Sequence, residues 1–74
     1  MSEEKQHKLT YFIYVIGEFA NRYGLTDKQA FRYLKRYDGM SVLDELYPAE
    51  HTLPIEETVN DLAVVCHRNG GGLA

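Results

Sequence analysis

Apolar residues recur every three or four positions in the first third of the chain, and this repeat limits the fold more than any other sequence feature. It predicts a helix over about residues 5–23, with an apolar stripe made of Leu9, Phe12, Ile13, Ile16, Ala20 and Tyr23. Tyr11, Val15 and Phe19 widen the apolar arc to about 200°. Such a helix is either the central helix of a bundle or meets another chain on its extra face.

A second helix is predicted over about residues 26–37. Gly24 ends the first helix, because glycine readily adopts the left-handed conformation that follows a helix. Thr26 and Gln29 have the spacing of a capping box, in which each side chain bonds the backbone amide of the other residue. One side of this helix is basic and carries Lys28, Arg32, Lys35 and Arg36.

Two further helices are predicted over about residues 41–47 and 54–68. Ser41 can cap the third helix, and Pro48 is expected to stop it because proline disrupts helical hydrogen bonding. Pro54 is tolerated in the first turn of the fourth helix. No strand pattern competes with these helices. The sequence therefore predicts an all-α fold, one small bundle of about four helices over residues 1–74, with residues 1–4 and 70–74 frayed.

The loop YPAEHT, residues 47–52, places a carboxylate, an imidazole and a hydroxyl side by side. Catalytic groups usually come from separate elements around a pocket, so adjacent loop residues are a weak catalytic signal. We instead expect structural roles: Tyr47 anchors the turn to the core, His51 bonds a backbone group, and Thr52 caps the last helix. Partner recognition by this loop stays open, and catalysis is the least favoured alternative. We therefore predict that the protein is not an enzyme.

The candidate metal ligands have no usable spacing. They are His7, His51, Cys66 and His67, and neither a C-x-x-C nor an H-x-x-x-H pattern occurs. We therefore predict no metal site, and the sequence also lacks a glycine-rich phosphate loop before a helix. Cys66 is a single cysteine at a core-like helix position, and we expect it to be buried. No intramolecular disulfide can form, which fits a reducing compartment.

Charge is divided unevenly along the chain. The net charge is +2 over residues 1–40 and −5 over residues 41–74. The second and third helices have tolerable spacing for a helix-turn-helix, but the would-be recognition helix carries Asp44 and Glu45 and no basic residue. Carboxylates there would repel DNA phosphates. Nucleic-acid binding through the basic side of the second helix remains only an alternative to an acidic protein partner.

Some apolar and aromatic side chains lie where an interface could use them. Tyr11 and Tyr14 on the first helix are candidate partner-binding residues together with the basic residues of the second helix. Val64 points away from the apolar stripe of the last helix. A protein partner or a homodimer would cover such groups.

The chain shows no sign of membrane insertion. Its first residues lack the apolar core of a signal peptide. Its longest apolar-rich run is about twelve residues, too short to span a bilayer. We therefore expect a soluble cytoplasmic protein.

Residues 9–70 resemble the small bacterial family known as domain of unknown function 3791. The resemblance rests on "FIYVIGEFANRYGLT", "AFRYLKRYDGMSVLDELY", the "EHT" loop and "IEETVNDLAVVCHRNGG". Its most distinctive part is a tyrosine followed by a loop His-Thr, here Tyr47, His51 and Thr52. Pro48 and Pro54 depart from the usual pattern of the loop.

This resemblance implies a small helical protein with no assigned activity. Members look like companions of other small genes, including ADP-ribosyltransferase-like toxins, which implies an antitoxin-like role. The leading hypothesis is therefore a non-enzymatic interaction module that binds a protein, such as a toxin, through the first two helices. The alternative is a small nucleic-acid-binding module.

Overall fold

Four α-helices joined by short connections form the protein in a computed structural model, which describes residues 3–73 and side chains from residue 5. The helices are α1, Glu3–Tyr23; α2, Asp27–Arg36; α3, Gly39–Glu50; and α4, Ile55–Arg68. The described residues contain no strand. The predicted all-α bundle is therefore confirmed.

Helix α1 packs through most of the predicted stripe, since Ala20 is buried and Phe12, Ile16 and Tyr23 pack against the core. Val15, Phe19 and Ala20 are buried, whereas Leu9 and Ile13 are 49% and 60% exposed. The repeat showed a wide apolar arc but not which part of it the neighbouring helices would cover. Helix α2 has 10 residues and α1 has 21, so α2 is too short to cover α1 along its whole length. The stripe prediction was wrong for the exposed edge of the arc.

Helix α2 begins and α1 ends as predicted. The Gln29 amide donates to Thr26 Oγ1 at 3.1 Å, and the Thr26 amide donates to Gln29 Oε1 at 2.9 Å. This completes the capping box. Gly24 has a φ of +67°, a conformation that suits glycine because it lacks a Cβ.

Helix α3 is longer than predicted at both ends. It begins at Gly39, so Ser41 lies inside the helix, and it continues through Pro48 to Glu50. Pro48 falls in the last turn, so α3 loses only the hydrogen bond that an N–H at this position would have donated to the Asp44 carbonyl. Gly39 allows a close approach to the core, because a Cβ there would lie 2.8 Å from Leu34 Cδ2. The predicted stop at Pro48 and cap at Ser41 were wrong.

Helix α4 is not capped by Thr52. The Thr52 hydroxyl donates instead to the Ala49 carbonyl at 2.7 Å, so it supports the end of α3. Pro54 occupies the N-cap position in an extended conformation, with φ −55° and ψ 143°. The predicted role of Thr52 was wrong because the sequence placed the end of α3 three residues too early.

The glycine-rich C-terminal segment packs against the bundle. The Gly71 amide donates to the Cys66 carbonyl at 2.8 Å, and the Leu73 amide donates to the Tyr33 hydroxyl at 3.3 Å. Gly71 is buried, and a Cβ there would lie 2.9 Å from the Cys66 carbonyl oxygen. Residues 70–73 therefore contact the bundle, where the sequence predicted a frayed end. Residues 3 and 4 belong to α1, and positions 1, 2 and 74 lie outside the described residues.

The core lies where all four helices meet. Cys66 is fully buried, as predicted, and burial raises the pKa of its thiol. The buried apolar residues are Val15, Phe19, Ala20, Ala30, Leu34, Leu43, Val59, Leu62, Ala63 and Cys66.

Among the described helices, none is long and apolar enough to cross a membrane.

Candidate interaction surfaces

The basic side of α2 faces outward. Its four side chains are exposed, and the Arg36 guanidinium lies over the Tyr37 ring, 5.5 Å from the ring centroid. The basic residues are Lys28, Arg32, Lys35 and Arg36. Helix α1 packs beside α2.

Tyr11 is partly buried and packs toward α3 and α4. Its hydroxyl lies 3.2 Å from Thr58 Oγ1 on α4, and its ring packs edge-on against Tyr47, with centroids 5.5 Å apart. Burial raises the pKa of the Tyr11 hydroxyl. The role of Tyr11 as a partner-binding residue stays a prediction. A helical repeat cannot show whether a tyrosine at the edge of an apolar arc points toward a neighbouring helix.

Tyr14 is 51% exposed and lies on the outside of α1. Leu9 and Ile13, one helical turn apart, are exposed on the same helix. Large apolar side chains that stay in water are common singly, but adjacent ones are typical of contact surfaces. We define Leu9, Ile13 and Tyr14 as the α1 apolar surface.

The Tyr47, His51 and Thr52 motif forms a compact helix end. The His51 ring stacks on Tyr47 with centroids 4.5 Å apart, and His51 Nδ1 lies 2.5 Å from the Tyr47 carbonyl oxygen. Tyr47 also packs edge-on against Phe12 of α1. The predicted backbone bond of His51 and the anchoring role of Tyr47 are confirmed.

A groove between α3 and α4 was missed by the sequence reasoning. Its volume is about 260 Å³, and two of its walls, Leu46 and Val64, are 43% and 47% exposed. The lining residues are Val42, Leu43, Leu46, Glu50, Asp61, Leu62, Val64, Val65 and Arg68. One sequence feature pointed to this groove: Val64 is an apolar residue that lies outside the apolar stripe of α4. We call this feature the α3–α4 groove.

Glu50 is the unusual residue of the α3–α4 groove. It is only 8% exposed, and its Oε2 has no hydrogen-bond partner among the described residues. Burial raises the pKa of this carboxyl, and the adjacent carboxyl of Asp61 raises it further by hydrogen bonding to the protonated form. The Thr58 hydroxyl donates to the Glu50 backbone carbonyl at 3.4 Å. The carboxyl therefore lies in an apolar wall beside a second acidic group.

No group of three or more His, Cys, Asp or Glu side chains suited to a metal ion occurs among residues that the structure describes. Glu50 and Asp61 form a pair without a third such residue. The groove is thus better suited to one cationic or hydrogen-bond-donating group than to a metal ion with several protein ligands.

The family model described as "Protein of unknown function (DUF3791)" matches residues 10–69. The chain belongs to the DUF3791 family. The match includes most of α1, all of α2, α3 and α4, and therefore both walls of the α3–α4 groove. No curated protein and no solved structure gave a significant match.

Membership of the DUF3791 family confirms the resemblance drawn from the "EHT" loop and the flanking helices. Because the family description assigns no activity, it leaves function to be argued from the surfaces. Two surfaces stand out: the outer sides of α1 and α2, and the α3–α4 groove.

Proposed function

We propose that this DUF3791 protein is a non-enzymatic protein–protein interaction module. The observation that carries the proposal is the α1 apolar surface, where Leu9, Ile13 and Tyr14 are each about half exposed or more. Removing these side chains from water on binding would contribute about 25 cal/mol for each Å² of apolar area buried. A partner that covers these apolar side chains gains more binding free energy than it would by covering a polar helix face.

The basic side of α2 supports an acidic partner. Lys28, Arg32, Lys35 and Arg36 are exposed on a helix that packs beside α1. Charge complementarity at the edge of an apolar contact accelerates association and rejects partners of the wrong charge. The proposed interface therefore combines apolar contact on α1 with electrostatic selection on α2.

The finer role that we propose is that of an antitoxin-like protein in the bacterial cytoplasm, whose partner is encoded by a neighbouring gene. The family resemblance supports this role. The compact Tyr47–His51 stack supports a non-enzymatic function, because the imidazole is held by its own helix end. A second copy of the chain is the competing occupant of the α1 apolar surface.

Coexpression with the product of the adjacent gene tests the proposal. A tagged chain is expected to retain that product through purification. Ile13→Glu is expected to abolish retention because it places a charge in the apolar contact, and Arg32→Glu with Lys35→Glu is expected to weaken it. Glu45→Lys, a charge reversal at an exposed site on α3, serves as the control.

Retention that survives Ile13→Glu would show that the α1 apolar surface is not the contact. Retention that survives the double reversal on α2 would remove the basic side from the interface. Circular dichroism of each variant establishes that a lost complex does not reflect a lost fold.

Nucleic-acid binding is the second candidate, and the four exposed cations on α2 favour it. Phosphate contacts release counterions, so the affinity would fall steeply as salt increases. Fluorescence anisotropy with labelled single-stranded RNA and duplex DNA at several salt concentrations measures that slope. Failure to bind either probe at low salt would eliminate this candidate and leave the protein-binding proposal intact.

A further inference from the structure

Glu50 occupies a position that opposes its own charge. It is the last residue of α3, where the partial negative charge of the helix end disfavours an anion. Its side chain is more than nine-tenths buried, and Oε2 lacks a hydrogen-bond partner among the described residues. The neighbouring Asp61 adds a like charge. A hydrogen bond with Thr58 favours the ionised carboxyl, but burial and the neighbouring Asp61 outweigh it, so the pKa of Glu50 is raised.

A cationic group entering the groove would remove each of these penalties. It would supply the missing donor to Oε2 and would lie between Glu50 and Asp61, while its aliphatic part would contact the apolar walls. Buried carboxylates are otherwise paired or neutral. The chemistry of the groove is therefore that of a receptor for an alkyl chain ending in an ammonium or guanidinium group.

The dimensions favour a side chain over a larger ligand. The volume of about 260 Å³ is below the range of roughly 300–1,000 Å³ that is usual for small-molecule sites. Protein interfaces commonly place one anchoring side chain in a pocket of this kind, surrounded by weaker contacts. Leu46 and Val64 are exposed beside the groove and provide such surroundings.

We propose that the α3–α4 groove receives a lysine or arginine side chain of a protein partner, flanked in the partner by an aliphatic residue. The proposal rests on the interaction function and assigns it a second contact surface with a defined chemistry.

Arg68 sets the direction of the bound segment. It lies two turns from Asp61 on α4, about 10 Å along the helix axis, so the basic end of the segment lies by Glu50 and a carbonyl or acidic group lies by Arg68.

The test uses n-butylammonium, which reproduces the end of a lysine side chain, with n-butanol and butyrate as neutral and anionic counterparts. Each probe is titrated into the full chain at constant ionic strength and followed by ¹H–¹⁵N correlation spectra. We expect saturable shifts at groove amides, including those of Leu46, Asp61 and Val64. We also expect n-butylammonium to bind about tenfold more tightly than n-butanol, a difference of about 1.4 kcal/mol.

Glu50→Gln preserves the size of the side chain and removes its charge, so it is expected to reduce the preference for n-butylammonium to about twofold or less. Asp61→Asn provides a second variant at an exposed site, in case the buried substitution disturbs the fold. Glu45→Gln, which removes a charge from the exposed side of α3, is expected to leave the preference unchanged.

Equal binding of n-butylammonium and n-butanol would overturn the proposal, since the groove would then be merely apolar. Shifts spread over the acidic surface of the C-terminal half, instead of the groove, would overturn it as well. Either result leaves the α1 and α2 contacts of the proposed function standing, because those are tested by coexpression with variants outside the groove.

Discussion

Replacing Glu50 by glutamine should stabilise the protein at neutral pH. The glutamine side chain has nearly the same shape and carries no charge, so the cost of an ionised carboxyl in the α3–α4 groove disappears. Its amide can also donate to the Asp61 carboxylate, which lies within hydrogen-bonding reach of residue 50. Most substitutions of a buried polar residue are destabilising, so an increase in stability is a discriminating result.

The magnitude follows from the surroundings of the carboxyl. A buried polar atom without a partner costs about 1–3 kcal/mol, and a new hydrogen bond contributes about 0.5–1.5 kcal/mol. Asp61 is exposed, so the new bond lies at the lower end of its range. Allowing for relaxation around residue 50, we expect Glu50→Gln to raise the free energy of unfolding by about 1 kcal/mol at pH 7. In a domain of this size that corresponds to about 4–8 °C in Tm.

The pH dependence has a defined sign. Burial, and then the hydrogen bond with Asp61, raise the folded-state pKa of Glu50 above its unfolded-state value. The folded state therefore binds a proton more tightly than the unfolded state. That contribution to stability is fully present below the unfolded pKa and is lost as the pH rises through the folded pKa. Urea unfolding between about pH 4 and pH 7 measures this loss in the wild type and its reduction in Glu50→Gln.

Glu45→Gln is the matched control, because Glu45 is an exposed glutamate of the same helix. It should keep the wild-type pH dependence. The reasoning is refuted if Glu50→Gln is less stable than the wild type at pH 7 and its unfolding free energy changes with pH as in the wild type. The Glu50 carboxyl would then be well solvated or already paired when the protein is folded.

The remaining predictions concern the packing of the bundle. Gly71→Ala should lower the unfolding free energy by about 1–3 kcal/mol, because its Cβ would meet the Cys66 carbonyl and the Tyr33 ring. Gly72→Ala is the comparison in thermal unfolding, since no described atom lies within 4 Å of its Cβ position, and equal losses would refute this account of Gly71. Thr26→Ala should cost about 1 kcal/mol by removing the capping box, and urea unfolding with no loss would show that the cap is dispensable. Iodoacetamide should alkylate Cys66 far more slowly in the folded than in the unfolded protein, because burial raises the pKa of the thiol and blocks access to it. Equal alkylation rates, measured by mass spectrometry, would contradict the burial of Cys66.

The sequence predicted the features that depend on local chemistry. The Thr26 and Gln29 capping box forms because both partners lie within four residues of each other. Gly24 ends α1 for an equally local reason. The number of helices followed from apolar spacing and from breaks between the apolar segments.

The features missed by sequence reasoning depend on tertiary packing. Pro48 was expected to end α3, yet the helix continues to Glu50. There the last turn of α3 and the first turn of α4 both contact Tyr11 of α1. Gly71 was expected to fray, but its lack of a side chain lets the chain return over Tyr33. A one-dimensional pattern cannot show which helix lies opposite each residue.

The α3–α4 groove was missed for the same reason. Its walls come from two consecutive helices whose facing sides the sequence does not show, and its decisive residue, Glu50, was assigned to a loop. Once α3 extends to residue 50, the carboxyl lies against Asp61 of α4. Among the partner-binding candidates, Tyr14 and the basic residues of α2 are exposed, whereas Tyr11 is partly buried.

The central claim is that this DUF3791 protein acts by binding another protein. Its most direct test is the molar mass, by light scattering during size-exclusion chromatography, of the chain coexpressed with the product of the adjacent gene. The account predicts a single peak with the combined mass of both proteins, which separates into two peaks when Ile13 is replaced by glutamate. Separate elution of the wild-type chain and the neighbouring product, with no shared peak at any concentration tested, would contradict the claim.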